Sequence, residues 1–245
     1  MSSGPAWRAG YISVPPELCT DSRALPDCPM KWTAFVASLS WISLTSAAVI
    51  GVRNVEMRQA ANDTENQLSG ACRPVTFIFA RGTGESGNVG TDVGAPLIAD
   101  LRAALGTANI AAQGVDYAAD VLGYLEGGDP AGSKTMATLI NQAASKCPST
   151  QIAIGGYSQG AQLVHNAASM LSAAVTARIA AVVLFGDPDR VGRSTLPPVG
   201  TVSAAKVDSD CHNGDIICTG SGGATQHLNY NLDTPAASSF IVARV

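Results

Sequence analysis

The sequence is short of charged and aromatic residues, and its charge is slightly acidic. Of its 245 residues, 14% are charged and 5% are aromatic, and the formal net charge at pH 7 is -4. Such a charge balance cannot attract a phosphate backbone against its counterions, and few aromatic rings are available to stack on bases. The composition therefore argues against a nucleic-acid partner. The sequence also lacks a repeat of fixed period, which argues against solenoid and propeller folds.

Histidine is scarce as well, with three in the whole chain. They are scattered along the sequence, and the cysteines are better explained as disulfides than as ligands, so no metal site is predicted. The glycine-rich string at 82–87 (GTGESG) does not have the spacing of a nucleotide-binding loop. We therefore expect neither a metal nor an organic cofactor.

Six cysteines and a leader-like segment indicate an oxidising compartment. Met30 and Lys31 precede an uncharged, largely apolar stretch that runs to residue 52 and contains small residues, which is the pattern of a signal peptide. A transmembrane helix is disfavoured, because several Ser and Thr residues lower the hydrophobicity of this stretch. The sequence thus predicts a signal peptide at 30–52, a non-native or disordered extension at 1–29, an extracellular protein and no stable membrane partner.

Residues 53–71 are polar and show no clear periodicity, which predicts a disordered pro-segment or arm. This segment contains the sequon Asn62-Asp63-Thr64, so Asn62 is a candidate glycosylation site. From Cys72 onward, short apolar runs alternate with longer helical patterns. The alternation predicts one α/β domain over residues 72–245.

The apolar runs in this domain are typical of buried parallel strands. Strands are predicted at Val75–Ala80, 110–115, 151–155, Ile179–Phe185 and 202–207, and helices at Ala95–Leu105, 133–146, 159–171 and 236–245. This order predicts a three-layer α/β/α sandwich in which helices cover both faces of a parallel sheet.

The string GYSQG at 156–160 lies between a predicted strand and a predicted helix. A serine at such a sharp turn takes a strained conformation that leaves no room for neighbouring Cβ atoms, which explains the two glycines. The following helix offers free N–H groups to a developing oxyanion. Ser158 is therefore a candidate nucleophile, and the alternative is a tightly packed glycine-rich turn without chemistry.

A serine nucleophile needs a base, and His227 is the histidine that suits the chain order of serine, acid and histidine. His165 lies two helical turns beyond Ser158 and is interpreted as a helix-face residue, while His212 precedes every acid of its own loop except Asp208 and Asp210 and so does not suit that order. For the acid we favour Asp215, in a loop that a disulfide between Cys211 and Cys218 would make rigid. Asp187 and Asp189 follow a strand directly and are the competing group, of which Asp187 is weighed against Asp215.

Several blocks of the sequence together resemble the cutinase family of secreted serine esterases. They are FARGTGE at 79–85, GYSQGA at 156–161, DCHNGDIICTG at 210–220 and HLNY at 227–230. The resemblance covers residues 72–245. It implies a small, lidless α/β-hydrolase with a five-stranded parallel sheet and an exposed catalytic triad. We expect an ester as the substrate and a monomeric protein.

The resemblance also implies roles for individual residues. Ser158 would be the nucleophile, His227 the general base and Asp215 the acid that orients it. The oxyanion hole would consist of the backbone N–H of Gln159 with the backbone N–H and hydroxyl of Thr83. The family's disulfides correspond to Cys72–Cys147 and Cys211–Cys218.

The prediction of the substrate depends on the segment that precedes His227. In cutinases the segment before the histidine is typically apolar, whereas SGGATQ at 221–226 is small and polar here. We therefore expect hydrolysis of cutin or other short-to-medium acyl esters, with deacetylation of plant polysaccharide, as in the related acetylxylan esterases, as the alternative. A third hypothesis is an inactive member that binds a surface, although all three triad positions are occupied.

Overall fold

The computed structural model describes residues 62–245. The predicted extension, the predicted signal peptide and residues 53–61 of the predicted arm lie outside the described residues. Within residues 62–245, none of the helices combines the length and the hydrophobicity needed to cross a membrane.

Five parallel strands form one sheet in the order β2-β1-β3-β4-β5. The strands are β1 Val75–Ala80, β2 Ile110–Gly114, β3 Gln151–Tyr157, β4 Ile179–Phe185 and β5 Val207–Asp210. Nearly every residue of β1, β3 and β4 is buried. Continuous apolar runs suit these strands because both faces of the sheet are covered.

Helices cover the two faces and complete the three layers. They are α1 Ala95–Leu105, α2 Val121–Leu125, α3 Pro130–Lys146, α4 Gln159–Ser169, α5 Ala173–Thr176, α6 Ile216–Thr219 and α7 Thr234–Val242. Leu163 of α4 and Met136 of α3 belong to one core cluster, whereas Leu101 of α1 and Ile241 of α7 belong to the other. The predicted three-layer fold with a five-stranded parallel sheet is therefore confirmed.

The fifth strand is displaced from its predicted position at 202–207. Residues Ala204–Lys206 form a short 3-10 helix, and pairing with β4 begins only at Val207. The strand itself reads VDSD and is partly exposed along its whole length. An edge strand of this kind has no apolar run to mark it, because one side of it faces water.

The segment before Cys72 differs from the disordered arm predicted there, as far as it is described. The Leu68 side chain is 3% exposed and belongs to the core. The Glu65 carboxylate accepts two hydrogen bonds from Arg102, at 2.6 and 2.8 Å. Lys146 donates to the backbone carbonyls of Leu68, Ser69 and Gly70. Residues 62–71 are thus packed onto the domain.

Both disulfides implied by the resemblance are present. Cys72–Cys147 joins the start of the domain to the end of α3, and Cys211–Cys218 closes the loop between β5 and α6.

Candidate active site

Ser158 lies at the turn between β3 and α4, at the carboxyl end of the sheet. Its φ of 55° is rare for a residue with a side chain. A Cβ on Gly156 would lie 2.2 Å from the carbonyl oxygen of Gly160, and one on Gly160 would lie 2.0 Å from that of Ala80. The two glycines around Ser158 are therefore required by close backbone packing.

Ser158, His227 and Asp215 are brought together from three separate parts of the chain. The Ser158 Oγ lies 2.9 Å from His227 Nε2, and His227 Nδ1 lies 2.8 Å from Asp215 Oδ2. Ser158 and His227 are 7% and 8% exposed, and Asp215 is fully buried. This arrangement allows a proton to pass from the serine to the imidazole while the carboxylate faces the other ring nitrogen.

Burial raises the pKa of Asp215, but hydrogen bonds to its carboxylate outweigh this effect and lower the pKa below its usual value. The donors are His227, the Tyr230 hydroxyl at 2.7 Å and the backbone N–H of Ile217 at 2.8 Å. Asp215 is therefore ionised near neutral pH and can orient the imidazole.

Sequence reasoning missed two tyrosines at the site. Tyr230 donates to Asp215, and the Tyr157 hydroxyl donates to the backbone carbonyl of His227 at 2.7 Å. Tyr157 stands beside Ser158 in GYSQG and Tyr230 ends the string HLNY, so both lie inside strings that had been singled out.

Thr83 lies in the loop that follows β1. Its Oγ1 accepts a hydrogen bond from Gln159 Nε2 at 2.7 Å, and the same amide nitrogen donates to the carbonyl of Asp120 at 2.8 Å. Since Thr83 Oγ1 is the acceptor in this contact, its own proton remains available for another acceptor. Gln159 follows Ser158 directly and begins α4. The side chains of the two predicted oxyanion residues are thus in contact.

A protein-family model described as Cutinase matches residues 71–245. The chain belongs to the cutinase family. It is 54% identical over 187 residues to a cutinase of Blumeria hordei, covering 76% of this chain and 77% of that one. It is 53% identical over 172 residues to a cutinase of Botryotinia fuckeliana, covering 70% and 83%.

Solved structures agree with this assignment. A Trichoderma reesei cutinase in complex with a C11Y4 phosphonate inhibitor matches with a TM-score of 0.68 and 40% identity, over 79% of this chain and 85% of that one. An acetylxylan esterase matches with a TM-score of 0.59 and 21% identity, over 71% and 99%, which supports the fold alone. The chain is a serine esterase of the cutinase type.

In this cutinase-family chain the other two histidines and the competing acid are engaged elsewhere. His165 Nε2 lies 3.0 Å from Asp187 Oδ2, and its Nδ1 lies 3.1 Å from the carbonyl of Pro198. His212 Nε2 lies 2.6 Å from Asp233 Oδ2. Among residues 62–245, the one cluster with metal-ligand geometry is His165 with Asp187 and Asp189. Within that cluster, His165 is paired with Asp187.

Exposed aliphatic side chains lie close in sequence to Asp120, the residue that accepts a hydrogen bond from Gln159. Val121, Leu122 and Leu125 of α2 are 63%, 63% and 72% exposed. The helix begins directly after Asp120, whose carbonyl accepts from Gln159. The segment 221–226, by contrast, is exposed and polar. The esterase thus presents an apolar surface on α2 and a polar one before His227.

Proposed function

We propose that this cutinase-family esterase hydrolyses cutin and other short-to-medium acyl esters, with Ser158 as nucleophile, His227 as general base and Asp215 as its orienting acid. The observation that carries this proposal is the 2.9 Å contact between Ser158 Oγ and His227 Nε2. The curated relatives described above are named cutinases. The exposed aliphatic side chains of α2 suit an insoluble, apolar polyester.

The reaction begins when His227 takes the proton of Ser158 as the Oγ attacks the ester carbonyl. The resulting oxyanion accepts hydrogen bonds from the backbone N–H of Gln159 and from the N–H and hydroxyl of Thr83. The bond to the alcohol breaks, and His227 returns its proton to the leaving alcohol. Water then attacks the acyl-Ser158 ester, its proton passes to His227, and the carboxylic acid leaves as Ser158 is reprotonated.

The polar segment before His227 supports one alternative substrate, an acetyl group on a polysaccharide. Small polar side chains at 221–226 offer few methyl or methylene groups to an acyl chain, and each buried CH₂ contributes only about 0.8 kcal/mol. A rate series over p-nitrophenyl esters from acetate upward, run beside cutin and acetylated xylan, separates the two. Cutin hydrolysis without release of acetate from xylan supports the first candidate, and the reverse result overturns it.

The catalytic roles are tested by labelling with an organophosphonate ester. We expect the wild-type protein to gain one phosphonyl group at Ser158 and to lose its activity. Ser158→Ala should fold, remain unlabelled and show no turnover. Ser169→Ala, which removes an exposed serine at the other end of α4, is the matched control and should behave as the wild type. Turnover by Ser158→Ala, or no label on the wild type, contradicts the proposal.

We also propose that the protein is monomeric, that it is secreted through the signal peptide at 30–52, and that it carries a glycan on Asn62. Asn62 is exposed at the start of the described residues, as a glycan requires. Mass measurement of the secreted protein before and after deglycosylation tests the glycan, and N-terminal sequencing tests the leader. A mature protein that retains residues 1–29 contradicts the proposed leader.

A further inference from the structure

Two hydrogen bonds fix the direction of the Tyr230 O–H bond. It accepts a hydrogen bond from the backbone N–H of His212 at 3.0 Å, so its single proton is directed to Asp215 Oδ2 at 2.7 Å. That oxygen also receives the Nδ1–H of His227. Tyr230 is 1% exposed, so it has no access to a substrate on the surface. Its position is therefore suited to holding the Asp215 carboxylate toward His227.

The His212 side chain is held on both edges by hydrogen-bond acceptors. Nδ1 lies 2.9 Å from the backbone carbonyl of Gln226 and 2.8 Å from Asn229 Oδ1, while Nε2 lies 2.6 Å from Asp233 Oδ2. A carbonyl and a carboxylate cannot donate, so both ring nitrogens must carry protons to satisfy these contacts. The geometry therefore selects the imidazolium form of His212.

The imidazolium is also stacked on the ring of Tyr230. The two ring centroids are 4.1 Å apart, and the planes are inclined by 19°. A cation over an aromatic face is attracted by the ring electrons. Asp233 and Asp210 are acidic groups close to His212, and both favour the cation. Burial lowers the pKa of His212, but the Gln226 carbonyl, Asp233 and Asn229 raise it above its usual value.

His212 is thus linked to both residues that act with Ser158, namely His227 and Asp215. Gln226, whose carbonyl it holds, directly precedes His227, and Tyr230, on which it stacks, donates to Asp215. We propose that His212, as an imidazolium held by Asp233, is a positioning residue that keeps His227 and Asp215 aligned with Ser158. This inference rests on the catalytic roles proposed above.

Loss of a proton from His212 should weaken this alignment. A neutral imidazole has one N–H, so either Asp233 or the Gln226 carbonyl then faces a ring nitrogen that also accepts. Turnover should therefore fall on the alkaline side with the titration of His212, whereas KM for a small soluble ester should not change. A residue with a purely structural role would affect stability without moving this pH profile.

The test compares the pH dependence of kcat in the wild type, Asp233→Asn and Asp100→Asn, with the His212 titration followed by NMR. Asp233→Asn keeps an acceptor beside Nε2 but removes the charge, so the alkaline limb of kcat should move to lower pH by about 1–2 pH units together with the NMR titration. Asp100→Asn is the matched control, because Asp100 is also half-buried and accepts from Thr234, the residue after Asp233. Its profile should match the wild type.

Two further variants keep the proposal falsifiable if Asp233→Asn is unstable. Tyr230→Phe retains the ring but loses the donor to Asp215, and its kcat should fall roughly tenfold at constant KM. His212→Gln cannot titrate, so the alkaline limb should disappear. An alkaline limb that stays in place while the NMR titration moves overturns the proposal. If Ser158→Ala abolishes turnover in the same experiments, the failure concerns His212 alone and not the proposed catalytic roles.

Discussion

At the scale of single residues, turnover should be sensitive to loss of the Thr83 hydroxyl. Thr83→Val keeps the backbone N–H and the shape of the side chain but removes the O–H that is proposed to bind the oxyanion. An oxyanion donor contributes typically about 2.7–4 kcal/mol, so kcat should fall by about 10²- to 10³-fold. Thr83→Ser retains the hydroxyl and is the control, which should keep most of the activity. Steady-state kinetics on p-nitrophenyl butyrate measure both, and near-wild-type turnover of Thr83→Val excludes this role.

The side chain of Gln159 donates a hydrogen bond to the same hydroxyl. Gln159→Ala keeps the backbone N–H but removes the amide that joins Thr83 Oγ1 to the Asp120 carbonyl. Of the two hydrogen bonds lost, the one to Thr83 Oγ1 holds the hydroxyl, so we expect kcat to fall by roughly tenfold, which corresponds to about 1.4 kcal/mol. Because the side chain works through Thr83, its loss should add little when Thr83 is already Val. A double-mutant cycle measures this coupling, and strictly additive losses contradict it.

At the scale of elements, the loop after β1 is held by a half-buried carboxylate. Glu85 accepts from the backbone N–H groups of Gly82 and Asp92 at 2.6 and 2.9 Å, on either side of Thr83 in the loop. Burial raises the pKa of Glu85 from its usual 4.5 to about 7, although these N–H groups act against the rise. The folded protein therefore binds this proton more tightly than the unfolded chain does.

This shift predicts a pH dependence of stability. The contribution of Glu85 is fully present below pH 4.5 and is lost as the pH rises through 7, by on the order of 3 kcal/mol. Glu85→Gln cannot ionise, so the free energy of unfolding of the wild type relative to this variant should decrease between pH 4 and 8. Urea denaturation at several pH values measures the difference. Glu126→Gln, at an exposed position, is the control, and the same constant offset for both variants contradicts the pKa shift.

For individual elements, the apolar pattern decides which of them can be predicted from the sequence. The apolar runs at Val75–Ala80 and Ile179–Phe185 match β1 and β4 residue for residue, because strands covered on both faces are largely apolar. The polar edge strand β5 carries no such signal. The packed segment before Cys72 was missed for a similar reason, since its anchors are a single leucine and polar contacts to distant residues.

At the scale of the whole molecule, some residues of the site can be predicted from a local sequence pattern, whereas others come together only in the folded chain. Ser158 can be predicted from a local pattern, because the strained turn requires glycines at fixed spacing. The partners of His212 cannot, since Asp233 and Gln226 lie 21 and 14 residues away along the chain. No spacing rule relates residues in separate loops that meet only when the sheet has formed.

The whole domain also depends on residues 62–71, which join several elements at once. The backbone carbonyl of Asp63 accepts from the backbone N–H groups of Asn88 and Val89, in the segment between β1 and α1. Glu65 pairs with Arg102 of α1, and Leu68 lies in the core cluster that includes Ile140 of α3. The segment therefore contacts both helical layers, and its packing contributes to the stability of the fold as a whole.

Leu68→Ala tests this contribution at a single side chain. Truncating a buried leucine removes transfer free energy and leaves a cavity, so the free energy of unfolding should fall by about 2–4 kcal/mol. Leu125→Ala is the matched control, because that leucine is 72% exposed and its loss should change stability by less than about 0.5 kcal/mol. Both are measured by urea denaturation with the disulfides intact. Equal stability of the two variants would mean that residues 62–71 detach without cost, as the disordered arm expected from their polar sequence would.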